Sequence, residues 1–340
     1  MAASSIEYIE LYAIDKQAAV DYFVSSLGFT QVAESVEVDR NSALLRQGEV
    51  DVVVTTGPAT RDFLEEHGDG VADIALTCDD VAATRAAAVE AGARASDSGW
   101  GNPVLSGFGG CSHTLLPLAE SAGNRLPAGR TWLPTQAVPV HPTRRIRLLD
   151  HVAICLDDGT LVDYADFYGA AFGLARYSSE YITVGDQAMD SIVVRSPSGA
   201  VTFTLLEPDS TKSSGQIDAF LERNGGPGVQ HLAFLVDDII PAVREFTDRG
   251  GDVLHTPGAY YDMLAERFPE MGEEITELRS AQILADRDEW GYLLQLFTRS
   301  PYDRNTLFYE FIQRRGSRGF GSANIKALYE AVDREMLAAE

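Results

Sequence analysis

The chain has 340 residues, a hydrophobic fraction of 45% and a formal charge of -24. That length holds two domains with real cores, and the acidic surplus excludes nucleic-acid binding, which needs a basic surface. No apolar run reaches membrane-spanning length, and Met1-Ala2-Ala3-Ser4-Ser5 lacks the basic start of a secretory signal, so a soluble, cytoplasmic protein with no membrane partner is expected. Cys78, Cys111 and Cys155 are odd in number and widely spaced; they fit buried thiols in a reducing compartment better than disulfides or a zinc site.

Taken in chain order, the predicted elements repeat. A first copy begins at Glu7-Tyr8-Ile9-Glu10-Leu11 and ends its helix at Leu27-Gly28-Phe29, with Val52-Val53-Val54 as a later strand. A second begins at Gly68 and runs through Asp73-Ile74-Ala75-Leu76 to a helix ending at Ala91-Gly92. Pro127, Pro134, Pro139 and Pro142 then interrupt regular structure between Gly123 and Arg145, which divides the chain into residues 1–140 and 141–340. A third copy starts at His151-Val152-Ala153-Ile154, closes its helix at Phe172-Gly173-Leu174 and continues to the strand Val201–Leu206. The fourth, Gly226 to Asp238, overlays the second without a gap and runs on to Arg249-Gly250. Each copy reads as a strand, a Gly-terminated helix and further strands. Such a unit cannot cover its own sheet, so the fold class is α+β, with four βαβββ modules paired into two open barrels.

Aligning the copies puts Tyr8, Asp73, His151 and His231 in one slot of the first strand. A lone His on an apolar strand is more often a packing or surface residue than a ligand. Two at matching slots of paired modules would meet at one barrel mouth. Glu310 lies within the apolar strand Thr306-Leu307-Phe308-Tyr309-Glu310-Phe311-Ile312, where an ionised carboxylate needs a cation; a pair with Arg314 or Arg315, or an edge strand facing water, are the bland readings. Two His and one carboxylate without thiolate suit iron(II), and zinc hydrolysis on the same set stays open. His67, His113, His141 and His255 lack this symmetry and are read as ordinary residues.

Four motifs carry a resemblance: Gly228-Val229-Gln230-His231, Gly291-Tyr292-Leu293-Leu294-Gln295-Leu296-Phe297-Thr298, Phe308-Tyr309-Glu310-Phe311-Ile312-Gln313-Arg314 and Gly319-Phe320-Gly321-Ser322-Ala323-Asn324. With them the chain resembles, over its whole length, the 4-hydroxyphenylpyruvate dioxygenase family of the vicinal oxygen chelate superfamily. The resemblance implies one Fe(II) per chain on His151, His231 and Glu310, with 4-hydroxyphenylpyruvate and O2 as the partners and no other cofactor. It implies a metal-free N-terminal domain, a homodimer contact there, and a C-terminal helix from Asn324 to Val332 over the active site. Ser191, Thr204, Leu206, Gln216, Gln295, Phe297, Phe320, Asn324 and Ile325 match pocket positions of the family. For Ser191 and Thr204 ordinary strand polarity, and for both Phe residues core packing, are the competing readings. Gln230 is left out, because strand alternation points it away from the metal.

One branch of the family attacks the aromatic ring to give homogentisate, and another hydroxylates the benzylic carbon to give 4-hydroxymandelate. Where the ring-attacking branch has Leu-Pro-Leu-Asn-Glu-Pro, this chain has Phe203-Thr204-Leu205-Leu206-Glu207-Pro208, and Ile325 replaces its Phe. The resemblance therefore points to the benzylic branch and to specialised metabolism toward antibiotic peptides. A homogentisate-forming enzyme is the alternative, and a metal-free binding protein of the same fold is a third reading that the full His151, His231 and Glu310 set disfavours.

Overall fold

The computed structural model describes residues 3–118, 126–128, 130–136, 145–321, 323, 324 and 326. The domain division at residue 140, His141, Ile325 and the expected helix beyond Lys326 lie outside them.

The first module comprises β1 (Ala3–Tyr12), α1 (Lys16–Asp21), β2 (Thr30–Val36), β3 (Asn41–Gln47) and β4 (Val50–Thr56). After α2 (Arg61–His67) come β5 (Gly70–Cys78), α3 (Val81–Glu90), β6 (Ala95–Asp97), β7 (Pro103–Ser106) and β8 (Ser112–Pro117), then a two-residue β9 (Leu133–Pro134). The third module is β10 (Ile146–Cys155), α4 (Leu161–Phe172), β11 (Ala175–Val184), β12 (Gln187–Arg195) and β13 (Thr202–Pro208). Following α5 (Gln216–Asn224), the fourth is β14 (Gly228–Val236), α6 (Ile239–Asp248), an inserted pair α7 (Gly258–Arg267) and α8 (Glu274–Ser280), and β15 (Leu284–Arg287), β16 (Tyr292–Phe297) and β17 (Phe308–Arg315). All four modules are thus βαβββ. The inserted helix pair gives no repeat signal, because it belongs to one copy alone.

Local chemistry sets the helix ends. Asp15 and Asp80 accept hydrogen bonds from the backbone N–H of Ala18 and Ala83, at 3.0 and 2.9 Å, satisfying donors a helix start leaves open. Gly173 closes α4 with a left-handed φ of 69°, a conformation that costs glycine little.

In each half, two modules join through their first strands. The sheet orders are β6-β7-β8-β5-β1-β4-β3-β2-β9 and β11-β12-β13-β10-β14-β17-β16-β15. The central pairs β1/β5 and β10/β14 are antiparallel, and each first strand lies parallel to the last strand of its own module. Strand alternation then gives each sheet one face for the interior of its barrel and another for the core. The halves share one apolar core: Phe23 and Phe29 pack on Tyr309 and Phe234 at ring distances of 5.3 and 5.9 Å. Burying each such side chain contributes about 1.5–3 kcal/mol, so the N-terminal half supports the strands that carry the C-terminal site.

Two of the histidines read as ordinary prove to join the halves. His67 Nδ1 lies 2.8 Å from the carbonyl of Asn224, and His113 Nε2 lies 2.9 Å from the Tyr168 hydroxyl. Arg304 donates to the carbonyls of Glu65, Glu66 and Arg223, placing its charge at the C-terminal ends of α2 and α5.

Burial lowers the His113 pKa from 6.5 to about 4. The unfolded chain therefore binds a proton that the folded state refuses, and this contribution is complete above about pH 6.5 and lost as the pH falls toward 4. On moving from pH 7.5 to 5, wild type should lose about 2 kcal/mol of unfolding free energy more than His113→Gln. Urea unfolding measures this; equal losses in both proteins would contradict it.

Candidate metal centre

The ligand slots converge because of register. In β10/β14, His151 lies opposite Ala233 and Ala153 opposite His231; in β14/β17, Ala233 lies opposite Glu310. Three adjacent strands therefore aim His151, His231 and Glu310 into one space, with the small Ala233 between two of them. One nitrogen or oxygen from each lies within 4.8 Å of the others, and among the described residues no other set of three His, Cys, Asp or Glu does so. Glu310 Oε2 is 3.5 Å from His151 Nε2 and 3.4 Å from His231 Nε2, and the carboxylate side chain is 1% exposed.

The far side of each imidazole is already occupied. His151 Nδ1 lies 2.9 Å from Asp150 Oδ1, and His231 Nδ1 lies 3.0 Å from Gln230 Oε1. Both partners accept, so each Nδ1 carries the proton and each Nε2 offers its lone pair to the shared point. Arg314 holds Asp150 in turn through two bonds of 2.7 Å. Burial raises the Asp150 pKa, but the bonds from Arg314 and His151 outweigh it and hold the carboxyl well below its usual range. Burial lowers the pKa of His231, favouring the neutral ring that a metal requires. This donor set, two neutral imidazoles and a carboxylate with no thiolate, fits a non-haem metal with open coordination positions.

Glu310 does not pair with Arg314 or Arg315; Arg314 serves Asp150 and Arg315 serves Glu274. Its Oε1 accepts from Gln295 Nε2 at 2.9 Å. Gln295 Oε1 accepts from Asn324 Nδ2 at 2.8 Å, and Asn324 Oδ1 accepts from the Tyr260 hydroxyl at 2.8 Å. Gln295 and Asn324, expected as pocket residues, are thus links in a chain that fixes the carboxylate. Gly321 lets that chain close: its φ is +76°, and a Cβ there would fall 1.9 Å from Gln295 Oε1.

Aromatic rings surround the ligands. Phe320 meets His151 edge-on at 5.3 Å, Phe297 meets His231 at 6.0 Å, and Phe308 stacks on His231 at 5.0 Å. Thr204 is paired with Ala153 on one side and Val193 on the other, and its Oγ1 is buried without a hydrogen-bond partner. Ser191 is buried and donates to the carbonyl of Glu180 at 3.0 Å. Leu206 packs with Cys155, Ile217 and Phe220 beside α5, the helix that Gln216 opens. Ile325 lies outside the described residues.

Sequence reasoning missed four residues. Asp150, Arg314 and Phe308 sit next to or near assigned ligands in sequence, but only the fold shows that Asp150 and Phe308 meet the imidazoles and that Arg314 holds Asp150. Gln230 is a correction. The pairing of β10 with β14 skips Gln230 between His231 and Val229, so strict alternation fails there and its side chain meets the neighbouring imidazole.

Removing the outer support should weaken the centre without destroying it. Asp150→Asn is expected to lower divalent-metal affinity about 10–100-fold, whereas Glu310→Ala should abolish stoichiometric binding. Anaerobic metal titration checks both; Glu310→Ala retaining full stoichiometry would remove Glu310 from the ligand set.

Comparison with known proteins agrees with this geometry. Residues 1–117 match the family described as hydroxyphenylpyruvate dioxygenase, N-terminal, and residues 150–264 match the glyoxalase/bleomycin resistance protein/dioxygenase superfamily. The 4-hydroxyphenylpyruvate dioxygenase of Aspergillus fumigatus is 30% identical, over 97% of this chain and 92% of that protein. The Neurospora crassa dioxygenase of the same name is 35% identical, over 81% of this chain and 71% of that one. The structure of a triple mutant of 4-hydroxymandelate synthase from Streptomyces coelicolor superposes with a TM-score of 0.88 at 52% identity, covering 99% of this chain and all of that one (100%). By full-length likeness, fold and a convergent His-His-Glu group, the chain is a dioxygenase and belongs to the 4-hydroxyphenylpyruvate dioxygenase family.

Proposed function

We propose that His151, His231 and Glu310 hold one Fe(II), and that the enzyme converts 4-hydroxyphenylpyruvate and O2 to 4-hydroxymandelate and CO2. The convergence of these three side chains carries the reaction class. The product choice rests on the pocket strand β13, which presents Thr204 and the apolar Leu206 where the ring-attacking branch has Pro and Asn. The 52% identity to a 4-hydroxymandelate synthase supports the same choice.

Held by His151, His231 and Glu310, Fe(II) would supply a Lewis-acid site for the 2-oxo acid and a redox centre for O2, the electrons of the net reaction coming from oxidative decarboxylation of the substrate. The chain's own residues govern everything around it. Asp150 and Gln230 keep the ligand imidazoles in one tautomer and orientation. Gln295 prevents Glu310 from rotating, and the Tyr260–Asn324 link fixes Gln295. Phe297 and Phe320 form aromatic walls that exclude water and confine the substrate ring. The Thr204 hydroxyl, with no partner in the protein, is free to bond the substrate and set its tilt. Ser191 lies opposite Leu206 on the neighbouring strand and shares this wall. Both products of the family share the steps up to loss of CO2. A rotation that favours one carbon by about 1.4 kcal/mol changes the product ratio tenfold.

Anaerobic Fe(II) loading, addition of 4-hydroxyphenylpyruvate and O2, and chromatography should give 4-hydroxymandelate as the main product. Homogentisate as the main product would overturn the benzylic reading and leave the dioxygenase assignment intact. Leu206→Asn, alone or combined with Thr204→Pro and Ile325→Phe, should divert part of the flux to a ring-oxidised product. A ratio unchanged in every variant would show that these positions do not steer the reaction.

A further inference from the structure

The N-terminal sheet repeats the frame of the metal centre with different side chains. In β1/β5, Tyr8 lies opposite Ala75 and Glu10 opposite Asp73, as His151 lies opposite Ala233 and Ala153 opposite His231 in β10/β14. In β5/β8, Asp73 lies opposite Ser112, as His231 lies opposite Phe308. Two residues further on, Thr114 takes the position of Glu310. The ligand slots therefore hold Tyr8, Asp73 and Thr114.

A cation already sits at this mouth. Arg130 bonds Glu10 and Ser42, and its guanidinium lies 5.6, 4.7 and 5.8 Å from the rings of Tyr8, Trp100 and Trp132. Thr55 donates to the other oxygen of Glu10 at 2.6 Å, so that carboxylate is satisfied. Asp73 is not. It is 4% exposed, its Oδ1 accepts from Ser112 Oγ and from the Thr114 N–H, and its Oδ2 is buried with no partner. Leaving a buried carboxylate oxygen without a donor is costly.

Asp73 lines a cavity of about 290 Å³ with Tyr12 and Trp100 among its walls. Among the described residues lining it, the carboxylates Glu10, Glu37, Asp39, Asp73 and Asp97 outnumber the cations Arg40 and Arg130, even with Arg85 paired to Asp97, so the cavity favours a positive guest. Among the described residues, no set of three convergent ligand atoms lies here, which disfavours a multivalent metal. We infer that this cavity is a second ligand site, taking a small organic ammonium ion whose N–H group donates to Asp73, the carboxylate turning to bring its buried Oδ2 to the guest. The ammonium supplies the missing donor and offsets the negative wall, while Tyr12 and Trp100 face its carbon atoms.

Burial, and then the charge of Glu10, raise the Asp73 pKa to about 7, so binding is best measured near pH 8, where the carboxylate is ionised. Calorimetric titration of the metal-free full chain with ethylammonium chloride should show one saturable site with a dissociation constant of about 1 mM or below. Asp73→Asn should weaken it at least about tenfold, since a charge-assisted hydrogen bond is lost. Should that variant fail to fold, a crystal of wild type soaked in 3-bromobenzylammonium should place the anomalous bromine peak beside Asp73 and Trp100. Absence of binding, binding unchanged in Asp73→Asn, a bromine peak elsewhere, or equal displacement by potassium or magnesium chloride would each overturn the proposal.

Discussion

The structure depends on one buried carboxylate. Glu310, 1% exposed and between two imidazoles, sits in a strand whose neighbours are the core residues Tyr309, Phe311 and Ile312. An anion there is tolerable only if its surroundings are arranged for it, because desolvation outweighs any single neutral hydrogen bond. Much of the C-terminal half serves that arrangement. β14 brings His231 beside it, β10 brings His151, β16 contributes Gln295, and Phe320, Gly321 and Asn324 close over Gln295. A bound metal ion would complete the charge balance that these donors leave unfinished.

The repeated modules explain how one chain builds such a site. Antiparallel pairing of two first strands puts equivalent residues of two copies on one face, so a His in each copy becomes a pair in space. The N-terminal half uses the same pairing with Tyr8 and Asp73, and the polarity of its mouth is organised around Arg130. Shared architecture with different side chains therefore yields a metal centre in one half and an acidic, aromatic-walled cavity in the other. The halves are also mechanically linked, since Phe23 and Phe29 pack directly on the backs of β14 and β17.

Much of this was legible in the sequence, and the reasons are physical. Slot equivalence of Tyr8, Asp73, His151 and His231 could be read because a repeated fold repeats its register, and the observed pairing of Tyr8 with Ala75 and of His151 with Ala233 matches it. Gln295 could be singled out because a buried amide demands partners, although its partners proved to be Glu310, Asn324 and the Phe320 carbonyl. Asp150 could not be read. The pairing of β10 with β14 shifts register between Leu149 and His151, so simple alternation fails at that position. Gln230 was misjudged for the same reason, since the register shifts again where β14 passes from Val229 to His231. His113 and His67 carry no sequence signal for their partners, which come from the other half of the chain.

The proposed metal centre lies in the C-terminal half, where β10, β14 and β17 meet. An anomalous-scattering map of crystals grown anaerobically with Fe(II) tests it most directly. One iron peak per chain is expected, bonded to His151 Nε2, His231 Nε2 and a Glu310 oxygen. A peak between Tyr8 and Asp73, or an iron lacking any of those three ligands, would contradict it.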